Sequence, residues 1–469
     1  MIVARRRAVR REGGDRIRLT ALCDVMIPRM KTLSCALIVV VLGSFVEAQQ
    51  PVAPPARATV VRAGRLIDPA AGTIASNQSI LIENGRISAI GSTVTAPPNA
   101  EVIDLSRLTV LPGLVDAHNH LALTYKTDPE NNYYYLTYVM DSTALRAIQA
   151  VSNGMQMLSS GFTVVRDLGN NGNYADTALR VGIEQGWVPG PTIVNSGIII
   201  GGMGGQFFPT PEMAKDHNIV YPEYLDADTH DEIVKAVRQN ILFGAKVIKV
   251  CVDCKPYPYT VEDLKTFVAE AANAGMKVAG HVQTKVGALR AIEAGFWSLE
   301  HAGPLDDEVH KKMAEKGVWR VGTETPFTPY RGTQQAFDRT VAGMKNAWAN
   351  HVKMAFSTDA DYYIPGMTRG EVVINFLLSW KASGIPAKEV LKIMTTNGYE
   401  VCDLASRRGP ITVGLPADMI AVAGNPLEDL DALRTVSFVM KDGTVFKKDG
   451  VMTPEAFLHA GPVNGWRIR

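Results

Sequence analysis

The sequence predicts an α/β fold: a (β/α)8 TIM barrel inserted into a small composite β-sandwich domain. Three observations carry this prediction. Between Leu111 and Ser383, apolar strand-like runs alternate eight times with segments of helical period. Five of the helical segments end in Gly just before the next strand, at Gly161, Gly244, Gly275, Gly295 and Gly317. β-rich runs flank the alternation on both sides, and joining them into one small domain makes the barrel an insertion. An open doubly wound sheet is the alternative, but no Gly-x-Gly-x-x-Gly follows the first strand of the alternation.

The 469 residues are 46% hydrophobic and 20% charged, with 48 Lys+Arg against 47 Asp+Glu. That balance excludes a disordered chain and a polytopic membrane protein, and it gives no case for a nucleic-acid partner. Met30-Lys31 precedes an apolar run, Ala36 to Val46, and Val46-Glu47-Ala48 offers small residues at a cleavage position. Residues 30–48 therefore read as a signal peptide, with cleavage near Ala48. Residues 1–29 read as a misplaced start or an extended n-region, and 49–57 as a Pro-rich linker. An uncleaved anchor is the alternative. The expected location is periplasmic or secreted, off the membrane after cleavage. Self-association stays open as a homo-oligomer.

The β-sandwich is expected from 58–110 and 409–452, the barrel from 111–408, and a tail from 453–469. Strands are expected at Thr59–Arg62, Ser79–Ile82, Arg86–Ile90 and Glu101–Asp104, with Asn84-Gly85 as a hairpin turn. The barrel strands are expected at Leu111–Leu121, Phe162–Leu168, Thr192–Ile200, Lys246–Val252, Lys277–Gln283, Trp297–His301, Trp319–Thr323 and Lys353–Thr358. Helices fill the intervals, the last two being Arg339–Asn350 and Arg369–Ser383. A helix at Ala387–Thr396 follows, then strands at Ile420–Ala423, Ser437–Lys441 and Thr444–Lys447, with a turn at Asp442-Gly443.

Chemistry-bearing residues collect at the strand ends. The first barrel strand ends in Asp116-Ala-His118-Asn-His120. Two His at i and i+2 on a strand share a face and can grip one metal; two polar residues at a strand exit is the plain alternative. His281 ends strand five, His301 ends strand six, and Asp359 follows strand eight. A buried carboxylate needs a cation or a proton, and four His around one place supply the reason for a metal. Strand four carries Lys246 and Lys249, of opposite parity, so only one faces the interior. Lys249, nearer the C-terminal rim, reads either as a CO2-carboxylated lysine whose carbamate bridges two metals or as a Lys paired with a carboxylate.

Residues 59–450 resemble the metal-dependent amidohydrolase superfamily, in its imidazolonepropionase-related branch with Xaa-Pro dipeptidases and ochratoxinase-like amidases. The resemblance rests on Leu111-Pro-Gly-Leu-Val-Asp-Ala-His-Asn-His120, Gly161-Phe-Thr-Val-Val-Arg-Asp-Leu-Gly169, Ile248-Lys249, Gly280-His281 and Leu299-Glu-His301. It continues in Ser357-Thr-Asp359, Gly414-Leu-Pro-Ala-Asp418 and Gly424-Asn-Pro-Leu-Glu-Asp429. It implies two divalent metal ions, usually Zn2+. His118, His120, Lys249 and Asp359 would hold one, and Lys249, His281 and His301 the other. A hydroxide bridging the ions would be the nucleophile, with Asp359 as proton shuttle and His281 orienting substrate. One departure stands in Gly201-Gly-Met203-Gly-Gly205, where relatives of the prolidase type often carry His in place of Met203.

Three substrate-contact candidates are Arg166, Met203 and Tyr134. Arg166 reads equally as a brace through Asp167, and Tyr134 as part of a packing cluster. Glu300, of opposite parity to His301, reads as a structural partner behind the sheet, and His310 as solvated. Cys251-x-x-Cys254 reads as a disulfide, free thiols, or a metal or redox site. The expected function is hydrolysis of a C–N amide bond in a small molecule, an N-acyl amino acid or dipeptide-like compound. A cyclic amide, lactone or organophosphate is the alternative substrate class. A non-catalytic binding protein is the alternative from another class.

Overall fold

In the computed structural model the described residues are 58–124, 140–207, 211, 221, 223–301, 305–326 and 333–453. The signal-peptide and linker readings, the tail beyond 453 and Tyr134 lie outside them.

Apolar Val60, Val61, Ala63 and Ile67 are the buried residues of β1 (Thr59–Asp68). β2 (Thr73–Glu83) pairs antiparallel with it and turns into β3 (Arg86–Gly91) through Asn84-Gly85. Both turn residues are left-handed, at φ 52° and 75°, which the twist of a two-residue hairpin requires. β4 (Glu101–Pro112) lies parallel to β1. The expected strand Leu111–Leu121 is in fact two. Leu111-Pro112 finish β4, and β5 (Leu114–Asn119) opens the barrel. Gly113 is the joint: a Cβ there would meet Thr163 Oγ1 at 2.0 Å.

The barrel then runs α1 (Thr143–Ser159), β6 (Phe162–Asp167), α2 (Ala175–Glu184), β7 (Thr192–Asn195), β8 (Ile199–Gly201), β9 (Tyr224–Asp226), α3 (His230–Leu242) and β10 (Ile248–Cys251). It continues with α4 (Val261–Ala272), β11 (Val278–His281), α5 (Lys285–Ala294), β12 (Ser298–Glu300), α6 (Asp307–Lys316), β13 (Trp319–Val321) and α7 (Gln334–Ala349). The expected third strand is broken into β7 and β8. Gly197 turns left-handed at φ 67°, and its N–H donates to the buried Asp176 carboxylate at 2.8 Å. β7 stays on β6, while β8 pairs with β10.

The eighth barrel position, 353–358, closes the ring by single contacts rather than a regular ladder. Ala355 N donates to Arg320 O at 3.2 Å on one side, and Ala117 N to Phe356 O at 2.9 Å on the other. The helix expected at Arg369–Ser383 is split into α8 (Arg369–Ile374) and α9 (Leu377–Ser383). α7 begins five residues before the expected Arg339. Thr333 caps it from Ala336 N, and the polar Gln334-Gln335 hide its start from an apolar-period reading.

After α10 (Ala387–Met394) and α11 (Thr396–Val401) the chain returns to the first domain. β14 (Met419–Val422) pairs with β4, and β15 (Val436–Lys441), β16 (Thr444–Lys448) and β17 (Val451–Met452) extend the sheet. The N- and C-terminal strands thus form one mixed eight-stranded sheet, ordered β17-β16-β15-β14-β4-β1-β2-β3. Its far edge curls back: Ile87 N donates to Leu415 O at 3.0 Å, on the segment feeding β14. Val61, Ile80, Ile103, Met419, Phe438 and Met440 fill the space enclosed. No described helix is long and apolar enough to cross a membrane.

Candidate active site

Five barrel strands aim polar side chains into one cavity of ≈ 370 Å³. His120, Lys249, His281, His301 and Asp359 line it, together with Asn170, Gln206, Gln283 and Asp361. His118 lies just beneath, fully buried. His118 and His120 share a face of β5 and its exit, as the i, i+2 spacing requires, with ring centroids 5.2 Å apart. The His301 ring is 4.8 Å from His118 and 4.4 Å from His281. Asp359 Oδ1 is 2.8 Å from His120 Nε2 and 3.4 Å from His118 Nε2, and Oδ2 is 3.6 Å from His301 Nδ1. One ligand atom each from His118, His301 and Asp359 lie within 4.8 Å of one another, a spacing that suits a cation.

Lys249 reaches this cluster from β10, with Nζ 3.3 Å from His118 Nε2. It is buried on β10, while Lys246, two residues before that strand begins, is exposed. Burial pushes the Lys249 ammonium down to about 8. Burial also holds His118 and His281 well below the ordinary imidazole value, and takes His301 to about 3. These three rings are neutral at pH 7 and keep a lone pair. Burial alone would lower His120 too, but the Asp359 and Asp167 carboxylates and the Gly169 carbonyl together outweigh it and raise that ring.

The outward nitrogens of the first two histidines are held. His120 Nδ1 meets Gly169 O at 2.7 Å, and His118 Nδ1 meets Glu300 Oε2 at 2.8 Å. Glu300 therefore points into the barrel and not behind the sheet. Parity fails because β12 ends at Glu300 and His301 is left-handed, at φ 64°. Arg166 is a correction of the same kind. Its buried guanidinium donates to Ala117 O, Ser298 Oγ and Glu300 Oε1, so it braces Glu300 and does not line the cavity. Its partner is Glu300, not Asp167, whose carboxylate accepts from Leu121 N.

Met203 is half exposed, its N–H on Asp228, and it does not line the cavity either. The glycine loop delivers Gln206 instead. Tyr224 Oη donates to Gln206 Oε1, which leaves the amide nitrogen 3.3 Å from His281 Nδ1. Gln206, Asn170 and Asp361 carried no motif; the signal for Gln206 was its place at the end of the glycine run. His310, read as solvated, is buried against Asn346. Cys251 and Cys254 are joined as a disulfide.

The amidohydrolase family pattern matches residues 109–446. The ochratoxinase of Aspergillus niger is 29% identical over 444 residues, covering 84% of this chain and 88% of that protein. A crystal structure of a Xaa-Pro dipeptidase with bound methionine in the active site superposes with a TM-score of 0.73 at 29% identity, over 83% of this chain and 100% of that one. A prolidase complexed with N-methylphosphonate-L-proline gives 0.70 at 25% identity, over 83% and 100%.

Proposed function

The chain belongs to the amidohydrolase family and is a hydrolase acting on carbon–nitrogen bonds; on that premise we propose that it cleaves a small N-acyl amino acid or dipeptide-like amide with two divalent ions. The observation that carries this reading is the convergence of four histidines, Lys249 and Asp359 from five strands on one cavity. Neutral, buried imidazoles beside a carboxylate are the donor set of a nitrogen- and oxygen-ligated ion, and zinc suits it. His118, His120, Lys249 and Asp359 would hold one ion, and Lys249, His281 and His301 the other, with Lys249 as its carbamate. When bound, such ions lower the pKa of water and polarise a substrate carbonyl.

The protein's own groups do the rest. Glu300 and Gly169 O fix the Nδ1 atoms, so His118 and His120 turn Nε2 toward the cavity. Asp359, partly open to the cavity, takes the proton of the attacking water and hands it to the leaving amine. Gln206, oriented by Tyr224, offers an amide N–H to the substrate beside His281. The relatives that support a dipeptide-like amide are the ochratoxinase, the Xaa-Pro dipeptidase and the prolidase.

The test is metal analysis of purified protein with a screen of N-acyl amino acids and Xaa-Pro dipeptides. Asp359→Asn keeps the shape and should lower kcat by at least about a hundredfold, since acid–base catalysis contributes about 10²–10⁴-fold. Two bound metals with no hydrolysis of any amide, ester or phosphoester would instead favour a binding protein. Export is part of the proposal. A disulfide at Cys251–Cys254 suits an oxidising compartment. Expression from Met30 should yield a shortened protein beginning near Gln49. An active form with residues 1–48 intact by mass spectrometry would end the export reading.

A further inference from the structure

Cys251 is the last residue of β10 and stands directly opposite His281, the last residue of β11, in the parallel ladder. The two sulfurs of Cys251 and Cys254 and one His281 ring nitrogen lie within 4.8 Å of one another. Cys251 also lines the hydrolytic cavity. Between the cysteines, Asp253 accepts from Gln283 N at 3.0 Å and Thr284 N at 2.7 Å, so the cysteine loop is tied to the turn that follows His281. We propose that Cys251, Cys254 and His281 form a separate metal site, which opens on reduction of the disulfide and takes a soft divalent cation. Occupying it withdraws His281 from the hydrolytic cavity.

The chemistry balances with a dithiol as reductant. One thiolate of the dithiol attacks Cys254 Sγ, because Cys254 is half-buried while Cys251 is 3% exposed. The Cys251 sulfur leaves as a thiolate. The second thiol of the reductant then displaces Cys254, so the protein disulfide gains two electrons and two protons and the dithiol becomes a disulfide. A divalent cation bound by both sulfurs releases those two protons, and the neutral His281 ring adds a third ligand. Thiolates select soft cations over the hard ones that carboxylates prefer. A neutral imidazole has one lone pair, so His281 serves either this site or the cavity. The proposal rests on the proposed function only in counting His281 as part of that cavity.

The test uses the full mature enzyme with its metals, reduced with dithiothreitol, desalted without air and titrated with Cd2+ beside an oxidised sample. The reduced protein should bind one more equivalent of Cd2+ than the oxidised protein and develop a near-ultraviolet sulfur-to-metal absorption. Hydrolysis should fall by at least about tenfold and return after chelation and reoxidation. Cys254→Ser should lose the extra equivalent and the absorption while hydrolysing as the oxidised enzyme does. Equal cadmium counts in the two states, or an absorption that survives in Cys254→Ser, overturns the site. A bound extra equivalent with unchanged hydrolysis overturns the withdrawal of His281. Metal count and absorption are read without turnover, so a chain that hydrolyses no amide fails the functional reading and leaves this site tested on its own.

Discussion

Replacing Glu300 by Gln keeps the shape of the side chain and removes its charge and one acceptor. The carboxylate uses both oxygens: Oε1 accepts from Arg166 Nη2 at 2.8 Å and Ser298 Oγ at 2.5 Å, and Oε2 meets His118 Nδ1 at 2.8 Å. Gln has one oxygen. A guanidinium carries only N–H donors, so that oxygen stays on the arginine side. The amide NH2 then faces His118 Nδ1 and forces the ring to accept there. The ring proton moves to Nε2, the atom 3.3 Å from Lys249 Nζ and 3.4 Å from Asp359, and a protonated nitrogen cannot ligate. Loss of such a holding partner costs about 10–100-fold in metal affinity, or about 1.4–2.8 kcal/mol. The fold suffers too. Arg166 keeps a buried charge without its counter-ion, and breaking a buried pair from one side costs about 3–5 kcal/mol; the surviving hydrogen bond to the Gln oxygen favours the lower figure. Chelator competition reads the affinity and urea unfolding reads the stability. Adding Arg166→Met should recover part of the stability but none of the metal affinity, because the two losses have separate origins. A Glu300→Gln protein that binds metal as tightly as wild type would refute the tautomer argument.

Lys249→Ala should lose metal at one or both positions, with partial rescue by short carboxylic acids, while Lys246→Ala, exposed outside the barrel, keeps its metal and activity; the reverse pattern would refute the register. Burial raises Asp167 to about 7 and Asp176 to about 6, with mutual repulsion adding to Asp167. The folded state then binds these protons more tightly than the unfolded chain, so their contribution makes stability fall as pH rises from about 4 through about 7. Asp176→Asn should flatten that slope in urea unfolding between pH 5 and 8, and an unchanged slope would count against it. Gly113→Ala should destabilise by about 1–3 kcal/mol, since its Cβ meets Thr163 Oγ1 at 2.0 Å; Thr163→Ala should restore only part of it in thermal unfolding, because the Thr163 Cβ would still stand at 2.6 Å, and full rescue would refute the clash.

The order of barrel units was legible because each unit carries its own punctuation. Gly161, Gly244, Gly275, Gly295 and Gly317 all adopt positive φ, between 68° and 92°, where a helix end hands over to a strand. Lys249 was legible from its place in an apolar strand; Lys246 is exposed because it stands two residues before β10, where alternation does not apply. Two barrel positions were legible only as apolar runs. The third breaks because Asp176, twenty-one residues away, captures Gly197 N, and no local propensity encodes that contact. The eighth has almost no ladder of its own and is held by what β5 and β13 offer it. The four histidines and Asp359 were readable as a set from their strand-end positions. The groups that hold them were not, because a supporting contact depends on direction and distance, and the sequence carries only spacing.

Direction at the rim is set by backbone that leaves the strand conformation. His301, Thr323 and Asp359 follow three neighbouring barrel positions, and all have positive φ, at 64°, 49° and 54°. Such a conformation costs a residue other than glycine about 1–3 kcal/mol, and a β-branched Thr more than most. Each is pinned from the adjacent position: His301 N donates to Val321 O at 2.9 Å, Thr323 N to Ser357 Oγ at 2.9 Å and Asp359 N to His118 O at 2.8 Å. The chain of contacts runs from β12 to β13, to the eighth position, and back to β5, so closure of the barrel maintains the strain. What the strain produces is two consecutive inward side chains. Glu300, the last regular residue, reaches down to hold His118, and His301, turned out of alternation, reaches the cavity with Nδ1 3.2 Å from Thr323 Oγ1. Strict alternation would give the rim either the holder or the ring, and the left-handed residue gives it both.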